Sequence, residues 1–409
     1  MKPRERLQRR NFRLFLASQV AAQAGTWLQF VAVAWLAGQS TGSGTALGWV
    51  AAATFGPLLL LGPWAGALAD RLDKRRLLIA TQLLMAVQAV GLGAAVLTGW
   101  ADMPVIYALT LLYGVINAGE APVRRALVAE LVEQEAIARA VSLTNVVAAL
   151  GRVLGPLAAG GLIATAGTGW CFVATAVSYL VALIALLPID DSVSHKGGAR
   201  REPGAVRAGL RYVWRNPEMR IALILTAVVA TFGFNHQVLI PLLAAKTFHG
   251  GPAAYTLLYT GISVGSVLGA LAVARRRDIS LTLLVRAVVA FALANAVLAF
   301  APTLAVGVIG SFGGGVTALL FITASAALLQ QQCDPAMRGR VMALFAIVLM
   351  GGVPIGAPLV GVLADVAGPR AAVAAGSVAV LLAACCVARR TGVRGPGRRA
   401  TWLVSTDAA

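Results

Sequence analysis

Charge is what this chain has least of. Only 12% of its 409 residues are Asp, Glu, Lys or Arg, and it holds three histidines and four cysteines. Each shortage excludes something. So few charges cannot cover a water-soluble protein of this length. With 59% of residues hydrophobic and a mean hydropathy of +0.81, the solvent must be lipid. Cys171, Cys333, Cys385 and Cys386 show no C-x-x-C spacing, and adjacent residues bridge poorly, so they read as apolar fillers. There is no P-loop, so ATP is not expected to drive the protein. Metal-ligand spacing is missing too; neither an enzyme nor a bound cofactor is expected.

Acidic residues are scarcer than basic ones, 16 against 34, for a net charge of +18. In a soluble protein that excess would suggest nucleic acid. Its distribution gives another answer. Spans need about 20 apolar residues. Uninterrupted apolar runs place twelve helices, near 12–37, 46–69, 77–98, 104–123, 141–164, 170–188, 221–244, 254–274, 280–301, 304–329, 341–364 and 371–388. With a cytoplasmic N-terminus, every Lys and Arg except Lys246, Arg370 and the intramembrane Arg152 falls on the inner side or at an inner helix end. That is the positive-inside rule, so the charge encodes topology and nucleic acid is not a partner. The basic start followed by Ala22-Gln23-Ala24 imitates a cleaved signal, but the apolar run continues to Ala37 and reads as an uncleaved first span. A β-barrel is excluded, because its strands would alternate in polarity.

The chain repeats itself. At an offset of 203, Gly66-Ala-Leu-Ala69 recurs as Gly269-Ala-Leu-Ala272. At an offset of 201, Gly114, Arg139, Gly151, Gly155, Gly160 and Gly167 meet Gly315, Arg340, Gly352, Gly356, Gly361 and Gly368. The expected fold is therefore an all-α membrane protein of two pseudo-symmetric six-helix bundles, with a site where the halves meet. The bundles are residues 1–188 and 221–388. Between them, 189–220 begins as a flexible linker and ends in an amphipathic helix. There Leu210, Val213 and Trp214 lie near one face and Arg207, Arg211 and Arg215 on another, suited to anionic lipid. Residues 389–409 form a basic cytoplasmic tail.

Three groups of residues can carry a mechanism. The charged turn Gly66-Ala-Leu-Ala-Asp70-Arg71-Leu-Asp73-Lys74-Arg75-Arg76 joins the second and third spans, with Arg124 and Arg125 at the inner end of the fourth as candidate partners for Asp70. In the fifth span, Gly151 and Gly155 make a G-x-x-x-G ridge, followed by Pro156, which can bend the helix, and by Gly160. Last come polar groups within spans, which are functional candidates by default. Arg152 lies about 16 Å and Glu120 about 8 Å from the inner boundary at 1.5 Å per residue. Glu120 can pair with Arg152 or with Arg124 one turn on. Gln19, Gln23 and Trp27 continue one face of the first span. Asn117, Asn145, Asn235, His236 and Gln237 add to a mixed aromatic and amide cavity suited to amphipathic solutes.

The turn G-x-L-a-D-r-x-x-r-r resembles the loop between helices 2 and 3 of the major facilitator superfamily. The fifth-span string resembles the G-x-x-x-G-P-x-x-G-G motif of drug antiporters, with Ala159 replacing one glycine. Further strings fit one branch: Asn11-Phe12-Arg13-Leu-Phe, Gly25-Thr-Trp27-Leu-Gln29, Ala121-Pro-Val-Arg124-Arg125-Ala126, Arg211-Tyr-Val-Trp-Arg215-Asn-Pro217 and Arg338-Gly-Arg-Val-Met342. Over residues 11–390 the chain resembles the enterobactin-exporter-like, or transmembrane secretion effector, branch. The resemblance implies a monomeric, proton-coupled exporter of siderophores, antibiotics or drugs in a bacterial inner membrane, with Asp70 in an inner gate. Thr110 stands where many drug antiporters carry a basic residue, and Arg152 can substitute for it. An uptake permease, a lipid flippase or a non-transporting sensor remain alternatives.

Overall fold

The computed structural model describes residues 3–190, 205–274 and 279–391, excepting the side chains at 3–5, 63–71, 129, 205–206 and 390–391. Twelve helical segments among them are long and apolar enough to cross a membrane. The first half holds α1 (Pro3–Thr41), α2 (Gly44–Arg71), α3 (Lys74–Leu97), α4 (Met103–Leu131), α5 (Ile137–Thr165) and α6 (Thr168–Leu186). A short α7 (Ala205–Arg215) precedes the second half. There α8 (Pro217–Val228), a π-helical turn (Val229–Gly233), α9 (His236–Leu242) and a second π turn (Leu243–Thr247) form one interrupted span. It is followed by α10 (Gly251–Ala274), α11 (Leu281–Ala299), α12 (Leu304–Gln332), α13 (Arg338–Ala367) and α14 (Pro369–Thr391).

Local chemistry explains the boundaries. Asp73 caps α3, its carboxylate accepting from Arg76 N at 2.9 Å. The Asn216 side chain accepts from Glu218 N and Met219 N at 3.0 and 3.3 Å, with Pro217 next in the chain, which starts α8. The seventh span departs from the continuous helix expected over 221–244. Phe234 and Asn235 leave helical geometry just after Gly233. The break is tolerated in apolar surroundings because Asn235 Nδ2 donates to the Thr231 carbonyl at 2.8 Å.

Packing repeats with the sequence. In the first half α1 packs on α5 and α6, α2 on α4, and α3 on α4 and α6; in the second the interrupted span packs on α13 and α14, α10 on α12, and α11 on α12 and α14. Gly114 and Gly315 show why. A Cβ at Gly114 would strike the Ala53 carbonyl of α2, and one at Gly315 the Ile262 carbonyl of α10. Each half thus brings its second and fourth helices into backbone contact through a missing side chain. The apolar residues left exposed, such as Leu83, Val87 and Val90 on α3, form the faces that lipid covers.

The helix α7 divides its apolar residues. Val213 is buried and Gly209 lies against the Arg340 carbonyl of α13, while Leu210 and Trp214 remain exposed beside Arg207, Arg211 and Arg215. So the face expected to be purely interfacial is shared between protein and surroundings. The linker from 191 to 204 and the tail from 392 lie outside the described residues. Cys171 and Cys333 are buried, and Cys385 and Cys386 exposed, all as free thiols.

Candidate functional site

Both halves have a basic end, marked by Lys74, Arg75, Arg124 and Arg338, and a far end. They meet firmly at the far end. Asp365, in the last turn of α13, accepts from the Ser43 hydroxyl at 2.7 Å, Gly44 N at 2.6 Å and both the backbone and hydroxyl of Thr45 at 2.9 and 2.7 Å. One carboxylate thereby satisfies the open N-terminus of α2 across the interface. Behind it Gly44 lies against Gly361 and Gly48 against Ala357, so that a Cβ on either would fall 2.5 or 2.6 Å from a carbonyl oxygen. Trp35 stacks on Tyr255 at 5.3 Å, and the Tyr255 hydroxyl donates to the Val31 carbonyl at 3.2 Å. Gly160, expected as part of the fifth-span motif, abuts Thr256 of α10.

Toward the basic end the cleft opens. Ala148, Ala149 and Arg152 on one face of α5 are half-buried, and Asn145 on the same face is exposed. The charged groups there bond within the first half. Lys74 meets Glu130 at 2.6 Å, and the Arg75 guanidinium donates to the Leu186 and Leu187 carbonyls that end α6. Arg125 Nε donates to the Ala121 carbonyl at 3.2 Å, and Arg124 approaches Glu120 at 3.6 Å. Gly66, Asp70 and Arg71 lie where side chains are outside the described residues, so the expected Asp70 contact is not described.

Arg152 lies on this half-buried face of α5. Gly155 lets Trp27 come against α5, since a Cβ there would overlap the Trp27 Cβ; Gly151 does the same for Gln23. Arg152 then lies over the Trp27 ring, 5.2 Å from its centroid. Tyr259 of α10 joins from the other half, its ring 6.2 Å from that of Phe30. Trp27, Phe30, Phe55 and Tyr259 form a chain of edge contacts at 5.5 to 6.2 Å. Arg152 Nε and Gln19 Nε2 are both shielded and without a hydrogen-bond partner. Glu120 does not pair with Arg152: it pairs with Arg124 on its own helix, because i,i+4 spacing brings those two together without crossing the bundle. Its side chain is only 4% exposed, and Oε1 accepts no hydrogen bond. Asn117 is half-buried one turn away. Pro156, buried beside Gly155, leaves α5 continuous.

The seventh span splits the three residues grouped with this cavity. Gln237 faces α1, α2 and α4. Asn235 is fully buried and bonded back to Thr231. His236 turns the other way, into a separate pocket of the second half, 3.3 Å from Asn295 Oδ1 and edge-on to Phe291. Successive helical residues point about 100° apart, so neighbours in sequence need not share a cavity. Sequence reasoning missed Tyr259, Asp365 and the role of Gln29, which lies off the Gln19–Gln23–Trp27 face. One string invites a different reading. Gly261-Ile-Ser263-Val-Gly265 matches the G-x-S-x-G nucleophile elbow, which needs a strand-to-helix turn. Here it is mid-helix in α10: Ser263 donates to the Tyr259 carbonyl at 2.9 Å and both glycines pack on α12.

Two six-helix bundles closed at one end around an aromatic and charged cleft define a major facilitator transporter. A family model described as transmembrane secretion effector matches residues 3–395, and the chain belongs to that family. Among curated relatives, the multidrug efflux pump Tap of Mycolicibacterium fortuitum is 27% identical over 90% of this chain and 93% of its own length. The enterobactin exporter EntS of Citrobacter koseri is 28% identical over 72% of this chain and 71% of its own. A staphyloferrin A transporter of Staphylococcus aureus is 27% identical, and the match spans 63% of this chain and 65% of that protein, just under two thirds. Of solved structures, the nucleoside transporter NupG superposes with a TM-score of 0.74 at 12% identity, covering 93% of this chain and all of NupG. A bacterial homologue of the lysosomal transporter Spinster superposes at 0.72 with 16% identity, covering 96% and 98%. These share the fold. The chain is thus a multi-pass bacterial membrane transporter for small molecules, not an enzyme.

Proposed function

We propose that this protein exports small amphipathic molecules bearing an acidic group, by proton antiport and alternating access. The observation that carries the reading is Arg152: a shielded cation with no ion pair among the described residues and an unpartnered Nε, set against Trp27 in a cleft shared with Tyr259. A purely structural contact rarely uses a charge within a span, because apolar packing serves as well. A forked donor over an aromatic face suits an anionic group on an aromatic body. The efflux and siderophore-export names of the relatives support the outward direction.

The positive-inside rule supports a cytoplasmic basic end with both termini inside. Fusion of a cytoplasmic reporter after Arg215 should then be active, and one within Gly38–Gly44 inactive. With that orientation the described state is closed to the outside and open to the cytoplasm, ready to load. Glu120 is the proton site in this reading. Of the two buried glutamates among the described residues, Glu130 is held by Lys74 at 2.6 Å, whereas Glu120 has only a 3.6 Å approach from Arg124.

The test uses purified protein in liposomes and naphthalene-2-sulfonate, a fluorescent, permanently charged aromatic anion. Vesicles acidic inside should accumulate it, a protonophore should abolish the uptake, and Arg152→Ala should lose it. Arg152→Lys should recover only part, since a point charge cannot replace a fork. Glu120→Gln should bind the probe but no longer respond to the gradient. Normal gradient-driven uptake by Arg152→Ala would overturn the assignment, and a complete lack of flux in the native protein would favour the sensor alternative.

A further inference from the structure

Beyond Phe30, on the far side of the cleft from the cytoplasm, lies a small cavity that the exporter reading does not use. It offers about 30 Å³ to water-sized occupants and is walled by α1, α2, α4 and α9. Three of the residues lining it carry a side-chain atom without a hydrogen-bond partner: Gln29 Oε1, Thr110 Oγ1 and Gln237 Nε2. Their residues are 3%, 2% and 8% exposed. Gln29 is not free to turn. Its Nε2 donates to Gln88 Oε1 at 2.9 Å, and Gln88 Nε2 donates to the Leu109 carbonyl at 3.1 Å, which fixes the amide and leaves Oε1 as an acceptor. Buried polar groups are seldom left unmet, so three in one pocket call for an occupant.

The chemistry of the wall says what kind. It presents an acceptor, a donor and a hydroxyl that serves as either, and none of the residues lining it is charged. That set complements a hydroxyl or a carboxamide and offers nothing to an ion. Phe30 lines this pocket and also touches Trp27 at 5.5 Å, so an aromatic wall joins it to Arg152. The pocket is also divided between the halves: Gln29 and Thr110 belong to the first, Gln237 to the second.

We propose that Gln29, Thr110 and Gln237 form a neutral-polar subsite for a hydroxyl or carboxamide group of the cargo, one that exists only while the outer gate is closed. This rests on the reading of Arg152 as the anion site. When the halves part at the Asp365 end, Gln237 leaves Gln29 and Thr110, and the group they held is returned to water. Cargo then binds better in the inward-open state than in the outward-open one. A ligand shifts a two-state equilibrium only through such a difference in affinity. The asymmetry favours loading from the cytoplasm and release outside.

Two probes separate the subsite from the reading beneath it: naphthalene-2-sulfonate and 6-hydroxynaphthalene-2-sulfonate, which differ by one hydroxyl at the far end from the charge. Binding to the purified full-length protein should be about fivefold tighter for the hydroxylated probe, the worth of about one net hydrogen bond. Thr110→Val, which keeps the shape, and Gln237→Leu should erase that advantage, read as the ratio of the two probes' affinities within each variant. Spin labels at Ser40→Cys and Val366→Cys, in a background lacking Cys385 and Cys386, report the outer gate. The hydroxylated probe should enrich the short, closed distance more than the plain one does, and Thr110→Val should remove the difference. Equal affinities for the two probes in the native protein would mean that the cavity holds water only and would overturn the subsite alone. So would an equal loss for both probes in Thr110→Val, which would mark Thr110 as packing. Failure of both probes to bind at all would overturn the anion site and the subsite with it.

Discussion

The two halves press matching glycines against different things. In the first, Gly151 and Gly155 of α5 receive Gln23 and Trp27, side chains of an unbroken α1. In the second, 201 residues on, Gly352 and Gly356 of α13 receive Ala230 and Thr231, in the π turn where the seventh span loosens before it breaks. The residue beside the notch also differs: Arg152 in the first half, a buried Val353 in the second. A glycine notch works through the absence of a side chain, so it fixes how closely two helices approach and leaves the neighbouring position open. One half uses that position for a charge. The other accommodates a helix interruption, a feature that marks sites and hinges in membrane carriers.

The largest effect that would break this comparison lies in the notches. Gly356→Ala sets a methyl against the Thr231 backbone carbonyl, whereas Gly155→Ala sets one against Trp27. Both overpack, which costs about 1–3 kcal/mol or more. The second-half variant should melt lower, because the added methyl would fall 1.7 Å from the Thr231 carbonyl oxygen, against 2.3 Å from the Trp27 Cβ in the first half. Thermal melting of the two purified proteins decides it, and the reverse order would show that the unbroken helix is the more rigid partner.

Arg152→Leu should behave in the opposite way. Removing a charge that costs about 2.5–3.5 kcal/mol to insert should leave the melting temperature unchanged or raise it while transport is lost. Placing the cation in the other half, as Arg152→Val with Val353→Arg, should not restore uptake of naphthalene-2-sulfonate, since the second half has no tryptophan at the matching notch. Recovery of flux in that double variant would make the two notches interchangeable.

A smaller change is expected at the far end. Asp365 is exposed and acts as a cap, so Asp365→Asn should cost about 1 kcal/mol, or about a fivefold shift toward the outward-open state. Distances between labels at Ser40 and Val366 would reveal it. An unmoved distribution would assign closure to the Gly44–Gly361 contact alone. Smallest of all is Asp70→Asn, at less than about 1 kcal/mol if the sequence-based expectation of a surface ion pair in the inner gate holds. It should lower flux without altering folding. Unchanged flux would reduce the turn to a topology signal.

Much of this was legible from the residues. Twelve apolar runs gave the spans, because a lipid solvent demands length and hydrophobicity that few other folds require. Glycine spacing at a fixed offset located the notches, since a missing Cβ is visible in sequence. The pairing of Glu120 was half visible: its i,i+4 partner Arg124 is local, while exclusion of Arg152 depended on where α4 and α5 meet the cleft. His236 was misplaced beside Gln237 because the two follow one another in a helix, where successive side chains point about 100° apart and here enter different cavities.

By itself, then, the sequence determined the solvent, the number of crossings, the duplication and the close-packed faces. Those follow from composition and periodicity, which act locally and are fixed before any two helices meet. Tertiary structure alone decided that Asp365 caps α2 from more than 300 residues away, that Tyr259 joins the aromatic chain beside Arg152, and that Gln29, Thr110 and Gln237 share one cavity. Such contacts join residues from different helices and from both halves. Their geometry depends on how the bundles dock, and docking is set by the sum of many backbone approaches that no single stretch of chain encodes.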